Sequence, residues 1–183
     1  MIEVRFHGRG GQGAVTSSEL LALAAISEGK YASAFPSFGS ERRGAPLQAY
    51  LRISDEPIRL REEIYNPNVV VVIDPALVSS PAVKVGLGTD GILVVNSSRN
   101  LEQIKAECGF SGRVARVDAS TIAEQELGVP ITNTTMIGAL LKACPGLVKT
   151  ESLQKPLEER FGANAIKNLN ALSRALNETR IEE

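Results

Sequence analysis

The chain contains no tryptophan, one histidine and two cysteines, and aromatic residues make up 4% of its 183 positions. The cysteines, Cys108 and Cys144, lie far apart and form no C-x-x-C pair. Such spacing does not supply the thiolate sets that hold a structural zinc ion or an iron–sulfur cluster. We therefore expect two reduced thiols that pack inside the protein, and no metal site in this chain.

Neither sign of charge dominates, because 20 basic residues stand against 21 acidic ones for a formal net charge of −1. A chain without an overall positive field has no general attraction to nucleic acid or to an anionic membrane. No apolar run is long enough to span a bilayer, and a strand-like pattern begins directly after Met1 without a signal segment. We expect a cytoplasmic protein with neither a nucleic acid nor a membrane as partner.

The motifs of several common catalytic sites are also missing. The chain has no H-E-x-x-H, no G-x-S-x-G and no P-loop. The sequence therefore does not indicate zinc-dependent hydrolysis, hydrolysis by a catalytic triad or P-loop phosphoryl transfer. We assign no catalytic residue to this chain. His7 is interpreted as a polar residue that fills a structural position. Asp74, at the end of a predicted central strand, is the best-placed carboxylate, but it is typical of a helix cap, as are Asp118 and Asn133.

Strand-like and helix-like patterns alternate along the first two thirds of the chain. The alternation from Ile2 to His7 predicts a strand, and the apolar spacing from Ser17 to Gly29 predicts the helix that follows. Further strands are predicted at 31–35, 47–54, 69–73, 92–95 and 113–119. One helix is predicted at 101–108, a second is predicted to begin at a capping box of Thr121 and Glu124, and the chain is predicted to be mostly helical from Thr134 onward. We predict an α/β fold: one Rossmann-like layered domain over residues 1–183, with a largely parallel central sheet and a helical C-terminal part.

A glycine-rich loop joins the first strand to the first helix. Gly8, Gly10 and Gly13 satisfy G-x-G-x-x-G in the strand-to-helix context that gives this pattern its meaning. Glycines let backbone N–H groups approach an anion, and the first helical turn adds unpaired donors. Gly11 belongs to the same loop, and Arg9 and Gln12 add side-chain donors. The loop therefore predicts a pyrophosphate site, although a tight packing turn is the alternative.

The sequence beyond this loop limits which nucleotide is bound. The dinucleotide fingerprint requires an acidic residue about 20 positions further on, to hold the ribose hydroxyls. The chain has Ser33-Ala34-Phe35-Pro36 there instead. The pair Arg42-Arg43 lies further on and leaves NADP as an alternative. Other phosphate-bearing adenine nucleotides, including coenzyme A, also remain possible.

A second group of candidate functional residues lies in the segment "FPSFGSERRGAPLQAYLR". It concentrates phenylalanine, proline and glycine around Glu41, Arg42 and Arg43 in a chain with few aromatic residues. Aromatic area beside guanidinium groups is typical of protein interfaces. We predict contacts to a partner through Phe38, Glu41, Arg42 and Arg43. The alternative is a solvated loop whose phenylalanines pack into the domain's own core.

Four segments together resemble a known family. They are "IEVRFHGRGGQGAVTSSELLA", "AFPSFGSERRGAPLQAYLRI", "PIRLREEIYNPNVVVV" and "ITNTTMIGALLKA". They are similar to the gamma subunits of the 2-oxoacid:ferredoxin oxidoreductases, and above all to those of the pyruvate enzymes. The similarity extends from Ile2 to about Phe161. "GRGGQG" is shared with other branches, whereas "SERRGAP" is more specific.

The resemblance implies a division of labour among subunits. It implies that alpha and beta subunits hold thiamine diphosphate with Mg²⁺, that delta and beta subunits hold iron–sulfur clusters, and that the gamma subunit holds neither. The complex converts pyruvate, coenzyme A and oxidised ferredoxin to acetyl-CoA, CO2 and reduced ferredoxin. By the same resemblance, residues 8–13 would surround the phosphates of coenzyme A. A free-standing NADP-dependent oxidoreductase and a purely structural subunit without a ligand are the alternatives.

Overall fold

The computed structural model of the chain describes residues 1–37 and 45–182. Its strands are β1 (Ile2–Arg9), β2 (Tyr31–Pro36), β3 (Pro46–Ser54), β4 (Val69–Val72), β5 (Ile92–Asn96), β6 (Arg113–Val117) and β7 (Arg180–Glu182). Its α-helices are α1 (Ala14–Ser27), α2 (Pro81–Lys84), α3 (Leu101–Cys108), α4 (Ala119–Leu127), α5 (Asn133–Ala143), α6 (Gln154–Phe161) and α7 (Ala165–Glu178). Short 3-10 helices occur at Pro75–Leu77, Thr150–Leu153 and Gly162–Asn164.

The strands form one sheet in the order β2-β3-β1-β4-β5-β6-β7. Its centre is parallel, because β1 pairs with β4, β4 with β5 and β5 with β6 in the same direction. Its flanks are antiparallel: β3 pairs with both β1 and β2, and β7 pairs with β6. The parallel connections from β4 to β5 and from β5 to β6 pass through α2 and α3, which lie on one face of the sheet.

Strand β4 shows how the helices cover both faces of the sheet. Val69 and Val71 belong to one core cluster, which includes residues of α1 and of α4 to α7. Val70 and Val72 belong to the other, which includes residues of α2 and α3. All four valines are buried, which explains why this strand is a continuous β-branched run and not an alternating one. The molecule is therefore layered helix, sheet, helix.

The order of the strands places a topological switch point between β1 and β4. After β1 the chain passes through α1 to β2 and β3 on one side, and it then returns to β4 on the other side of β1. In open α/β sheets, the crevice beyond the carboxyl ends of the strands at such a point is where ligands bind. Here the glycine loop follows β1 and Asp74 follows β4. These two segments therefore meet at the expected binding position.

The predicted α/β class, parallel central sheet and helical C-terminal part are confirmed. The predicted capping box is wrong. Helix α4 begins at Ala119, and its cap is Asp118, whose carboxylate accepts hydrogen bonds from the Thr121 backbone N–H at 3.1 Å and hydroxyl at 2.9 Å. Aspartate three residues earlier is an equally good cap, so Thr121 lies inside the first turn. Within the described ranges, no helix is both long and apolar enough to cross a membrane.

Candidate functional site

The glycine loop connects the end of β1 at Arg9 to the start of α1 at Ala14. Gly11 and Gly13 have φ angles of 94° and 85°, which glycine adopts without strain. Gly13 is also the N-cap residue of α1, and it makes no side-chain capping bond. The backbone N–H groups of the first turn therefore have neither an intrahelical acceptor nor a cap from this residue. This is the arrangement of an anion-binding helix terminus.

A second helix begins beside the same loop. A methyl group on Gly13 would lie 2.7 Å from the Cβ of Asn133, the first residue of α5, so only glycine allows this approach. The Ser17 hydroxyl lies 3.0 Å from the Gly13 carbonyl oxygen and 3.2 Å from that of Asn133, and it links the two helix ends. The N-termini of α1 and α5 thus converge, and their dipoles both favour a negative charge there.

The side chain of Gln12 folds back into the loop. Its Oε1 accepts a hydrogen bond from the Arg9 backbone N–H at 2.7 Å, and its own backbone N–H donates to the Arg9 carbonyl at 3.1 Å. A methyl group on Gly8 would lie 3.3 Å from this Oε1, so glycine at that position leaves room for the carboxamide. Gly10 N–H donates to the Ala45 carbonyl at 3.3 Å. The loop is therefore held in shape by its own polar groups.

Asp74 joins the loop from the neighbouring strand. Its Oδ2 accepts a hydrogen bond from Arg9 Nε at 2.6 Å and another from Gln12 Nε2 at 3.3 Å. Its Oδ1 accepts from the Ala76 backbone N–H at 2.9 Å, which confirms the predicted cap. The Asp74 side chain is 10% exposed and that of Arg9 37% exposed. The sequence indicated Arg9 and Gln12 as phosphate donors and Asp74 as the best-placed carboxylate, but it did not indicate that Asp74 binds both of them.

Asn133 is the other polar residue at the loop whose position the sequence did not indicate. It is 4% exposed, and its Oδ1 accepts a hydrogen bond from the Thr134 backbone N–H at 2.8 Å. Its Nδ2 would lie 3.0 Å from a methyl group on Gly13, so this amide group faces the glycine loop. The prediction of Asn133 as a helix cap is wrong: the N-cap position is Thr132, and Asn133 is the first residue of α5. Its proximity to Gly13, 120 positions earlier, depends on the tertiary packing.

His7 takes the structural role that the sequence predicts. Its Nε2 accepts a hydrogen bond from Arg5 Nε at 2.9 Å, which requires the neutral ring with its proton on Nδ1. Burial, and secondarily the positive charge of Arg5, lower the pKa of His7 to about 4. Arg5 is itself buried, and it donates further to the carbonyls of Ile64, Val83 and Val85. Through these bonds Arg5 holds the segments around Ile64 and around Val83 to Val85 against β1.

The family model described as "Pyruvate ferredoxin/flavodoxin oxidoreductase" matches residues 3–178 of the chain. The chain belongs to this family. The "Pyruvate/ketoisovalerate oxidoreductases common subunit gamma" of Thermococcus kodakarensis is 51% identical to it, over the whole of both chains. The crystal structure of pyruvate oxidoreductase subunit PORC from Thermotoga maritima superposes with a TM-score of 0.89 at 43% identity, and it covers 100% of this chain and 98% of that one.

A solved structure of low sequence identity shares the fold. The 2-oxoglutarate:ferredoxin oxidoreductase of Magnetococcus marinus matches 96% of this chain and 30% of its own, with a TM-score of 0.76 and 18% identity. At that identity the likeness concerns the fold. Together with the family match, the two full-length relatives confirm the resemblance identified from the sequence, and with it the prediction of an oxidoreductase subunit.

The thiols of this family member do not form a metal site together. Cys108 is buried in the core cluster on one face of the sheet, and Cys144 packs against the cluster on the other face. Burial raises the pKa of the Cys144 thiol, which disfavours the thiolate that a metal needs. Among residues 1–37 and 45–182, no group of three or more His, Cys, Asp or Glu side chains could hold a metal ion. The two cysteines, on opposite faces of the sheet, do not fit the ligand set of an iron–sulfur cluster.

The predicted interface residues Phe38, Glu41, Arg42 and Arg43 lie outside the residues that the structure describes. Their role stays a prediction. The flanking strands are well defined, since β2 ends at Pro36 and β3 begins at Pro46. Pro46 pairs with Arg9 at the end of β1, next to the glycine loop, and Pro36 pairs with Ala49 one strand further out. The strands on either side of the predicted docking segment therefore end and begin at the end of the sheet where the candidate site lies.

Proposed function

We propose that this chain is the gamma subunit of a multi-subunit 2-oxoacid:ferredoxin oxidoreductase, and that its glycine loop contributes to the coenzyme A site. The reaction is the oxidative decarboxylation of pyruvate with coenzyme A to acetyl-CoA and CO2, with two electrons passed to ferredoxin. The observation that carries the assignment is the 51% identity over the full length to a gamma subunit shared by pyruvate and ketoisovalerate oxidoreductases.

Coenzyme A is the ligand of this family whose chemistry suits the loop. Its ADP portion carries phosphates, and the loop presents backbone N–H groups at two convergent helix N-termini beside the Arg9 guanidinium. The Asn133 Nδ2 group faces the same place and is a further donor. The relative from Magnetococcus marinus has coenzyme A and succinyl-CoA bound, which supports this choice of ligand. Residues 8–13 would thus hold the nucleotide end.

The chain's own contribution to the reaction is binding and positioning. Binding energy from a nucleotide remote from the thiol serves to place that thiol, and no proton transfer is assigned to this chain. In the complex, thiamine diphosphate with Mg²⁺ and the iron–sulfur clusters, held by alpha, beta and delta subunits, would supply the carbon–carbon cleavage and the electron transfer. We therefore propose that the isolated chain is inactive and acts in the cytoplasm as part of the assembly.

The segment with Phe38, Glu41, Arg42 and Arg43 is proposed to dock against the thiamine-binding subunits. Its composition supports this role, because aromatic and guanidinium groups tolerate burial at interfaces when they are well paired. Beyond its C-terminal end, Pro46 pairs with Arg9 beside the glycine loop. Docking there would bring the proposed coenzyme A site toward the partners that hold the reacting carbon.

An affinity-tagged copy of the chain, purified anaerobically from its native cells, tests the assignment. We expect thiamine- and cluster-bearing subunits to co-purify, together with ferredoxin reduction that requires both pyruvate and coenzyme A. Substitution of branched-chain 2-oxoacids in the same assay then defines the substrate range. Recovery of the chain alone, without such activity, would contradict the assignment.

A further inference from the structure

Asp74 is placed to act on the proposed coenzyme A site through other side chains. It follows β4, the parallel neighbour of β1, so its carboxylate enters the switch point from the strand next to the glycine loop. One oxygen, Oδ2, accepts hydrogen bonds from both Arg9 Nε at 2.6 Å and Gln12 Nε2 at 3.3 Å. These are the two loop residues whose side chains carry donors. A single carboxylate oxygen thus fixes both of them.

The carboxylate is itself held firmly. Its Oδ1 accepts the Ala76 backbone N–H at 2.9 Å, and Pro75, at the first position of the 3-10 helix, restricts the backbone beside it. The side chain is 10% exposed, whereas its partner Arg9 is 37% exposed. Arg9 therefore extends from a buried, fixed anchor toward the surface of the crevice. Helix capping requires only Oδ1, so capping alone does not account for the contacts at Oδ2.

We infer that Asp74 is a positioning residue for the coenzyme A phosphates: it orders Arg9 and Gln12 before the ligand arrives. This inference rests on the proposed function of the loop. An arginine side chain loses much rotamer freedom when it binds a phosphate, and an anchor that removes this freedom beforehand lowers the cost of binding. The negative charge of Asp74 opposes a phosphate, but the adjacent guanidinium balances it.

The two possible effects of the carboxylate give opposite results when its charge is removed. If ordering dominates, Asp74→Asn raises the KM for coenzyme A, by about two- to tenfold for the loss of one or two ordered side chains. If repulsion dominates, the same change lowers that KM. Asparagine keeps an oxygen for the Ala76 N–H, so the cap is retained. We expect the increase, with kcat and the KM for pyruvate unchanged.

A double-mutant cycle in the assembled enzyme identifies the route of the effect. Asp74→Asn should raise the coenzyme A KM when Arg9 is present and should raise it clearly less in the Arg9→Ala background, because only Gln12 is then left to order. Asp74→Ser, which also keeps a capping oxygen, should give the same pattern if the asparagine variant does not assemble. Asp118→Asn is the matched control: it too changes a capping aspartate after a parallel strand, and it should leave both KM values unchanged.

The outcomes separate this inference from the proposed function. An equal rise in coenzyme A KM with and without Arg9, no rise, or a fall on Asp74→Asn would overturn the positioning role. Arg9→Ala without any change in the coenzyme A KM would instead contradict the proposed site of the nucleotide. A rise in the KM for pyruvate that matches the rise for coenzyme A would show a general structural effect of Asp74 and would also overturn the inference.

Discussion

The only histidine of the chain makes the stability of the fold depend on pH in a defined window. His7 is 4% exposed, and it accepts a hydrogen bond from the cationic Arg5, so a proton on its Nε2 would remove that bond and place two positive charges together. Its pKa is lowered from 6.5 to about 4, first by burial and then by Arg5. At a pH between these two pKa values, His7 is protonated in the unfolded chain and neutral in the folded chain.

The free energy of unfolding should therefore fall as the pH drops from about 6.5 to about 4, and the contribution of His7 should be complete above that window. The expected loss from this residue at pH 4 relative to pH 7 is about 3 kcal/mol. Urea denaturation of the isolated chain at several pH values measures it. His7→Gln, which keeps a neutral acceptor, should show a shallower pH dependence. An imidazole that titrates near 6.5 by NMR would contradict this account.

At the residue scale, the sequence identified the members of the glycine loop but not all of their contacts. The pattern of Gly8, Gly10 and Gly13 follows from local backbone needs, which a sequence shows directly. The ion pair of Arg9 with Asp74 joins positions 65 residues apart, so it depends on β1 and β4 being neighbours in the sheet. That adjacency is a property of the strand order, which periodicity alone does not fix.

At the scale of elements, the contact between α5 and α7 depends on one small residue. A methyl group on Gly138 would lie 2.1 Å from the carbonyl oxygen of Leu172 and 3.1 Å from the Cβ of Ala175. The backbones of the two helices approach each other closely at this point, which indicates that Gly138 allows close packing. Both helices contribute to the larger core cluster, so their separation would disturb the layer that covers the parallel strands.

Gly138→Ala should destabilise the fold by about 2–3 kcal/mol, because the overlap is with backbone atoms that have little room to move. Gly128→Ala is the control: that residue has a φ of 76° but nothing within 4 Å of the added methyl group, so only backbone strain of about 1 kcal/mol is expected. Thermal and urea denaturation of both variants measure the difference. A loss at Gly138 no larger than at Gly128 would refute the close-packing interpretation.

Most helices and strands were predictable because their patterns are local. The valine run of β4 and the alternation of β1 correspond to strands in the structure. Helix starts were only partly predictable: the prediction of Asp118 as a cap is confirmed, but the capping box at Thr121 is wrong, because several polar residues near a helix start compete for the same N–H groups. Strand β7, only three residues long, carries too short a pattern to be identified without its partner β6.

At the scale of the whole molecule, association with partners cannot rest on net charge, which is −1. It must rest on particular surfaces, and the proposed docking segment is the one that the sequence singles out. Charge reversal through Arg42→Glu and Arg43→Glu should release the chain from the complex, since paired guanidinium groups become repulsive carboxylates at the interface. The free energy of unfolding of the isolated chain should not change by more than about 0.5 kcal/mol.

Co-purification of the tagged double variant with its partner subunits measures this release. The matched control reverses two exposed charges elsewhere, Lys155→Glu on α6 and Lys167→Glu on α7, and it should leave assembly unchanged. Full recovery of the partners with the Arg42 and Arg43 variant would refute the docking role. Equal loss with both double variants would show that any change of net charge disrupts the complex, and it would refute the role as well.

The central claim is that this chain brings the nucleotide end of coenzyme A to a multi-subunit oxidoreductase. It is tested most directly by the KM values of the assembled enzyme with Arg9→Ala, and with Arg174→Ala as a control at an ion pair that joins α7 to Glu126 of α4. Loss of a charged donor to phosphate, with the Asp74 carboxylate left without its cationic partner, should raise the KM for coenzyme A about tenfold or more and leave that for pyruvate unchanged. Equal increases in both values, or none, would contradict the account.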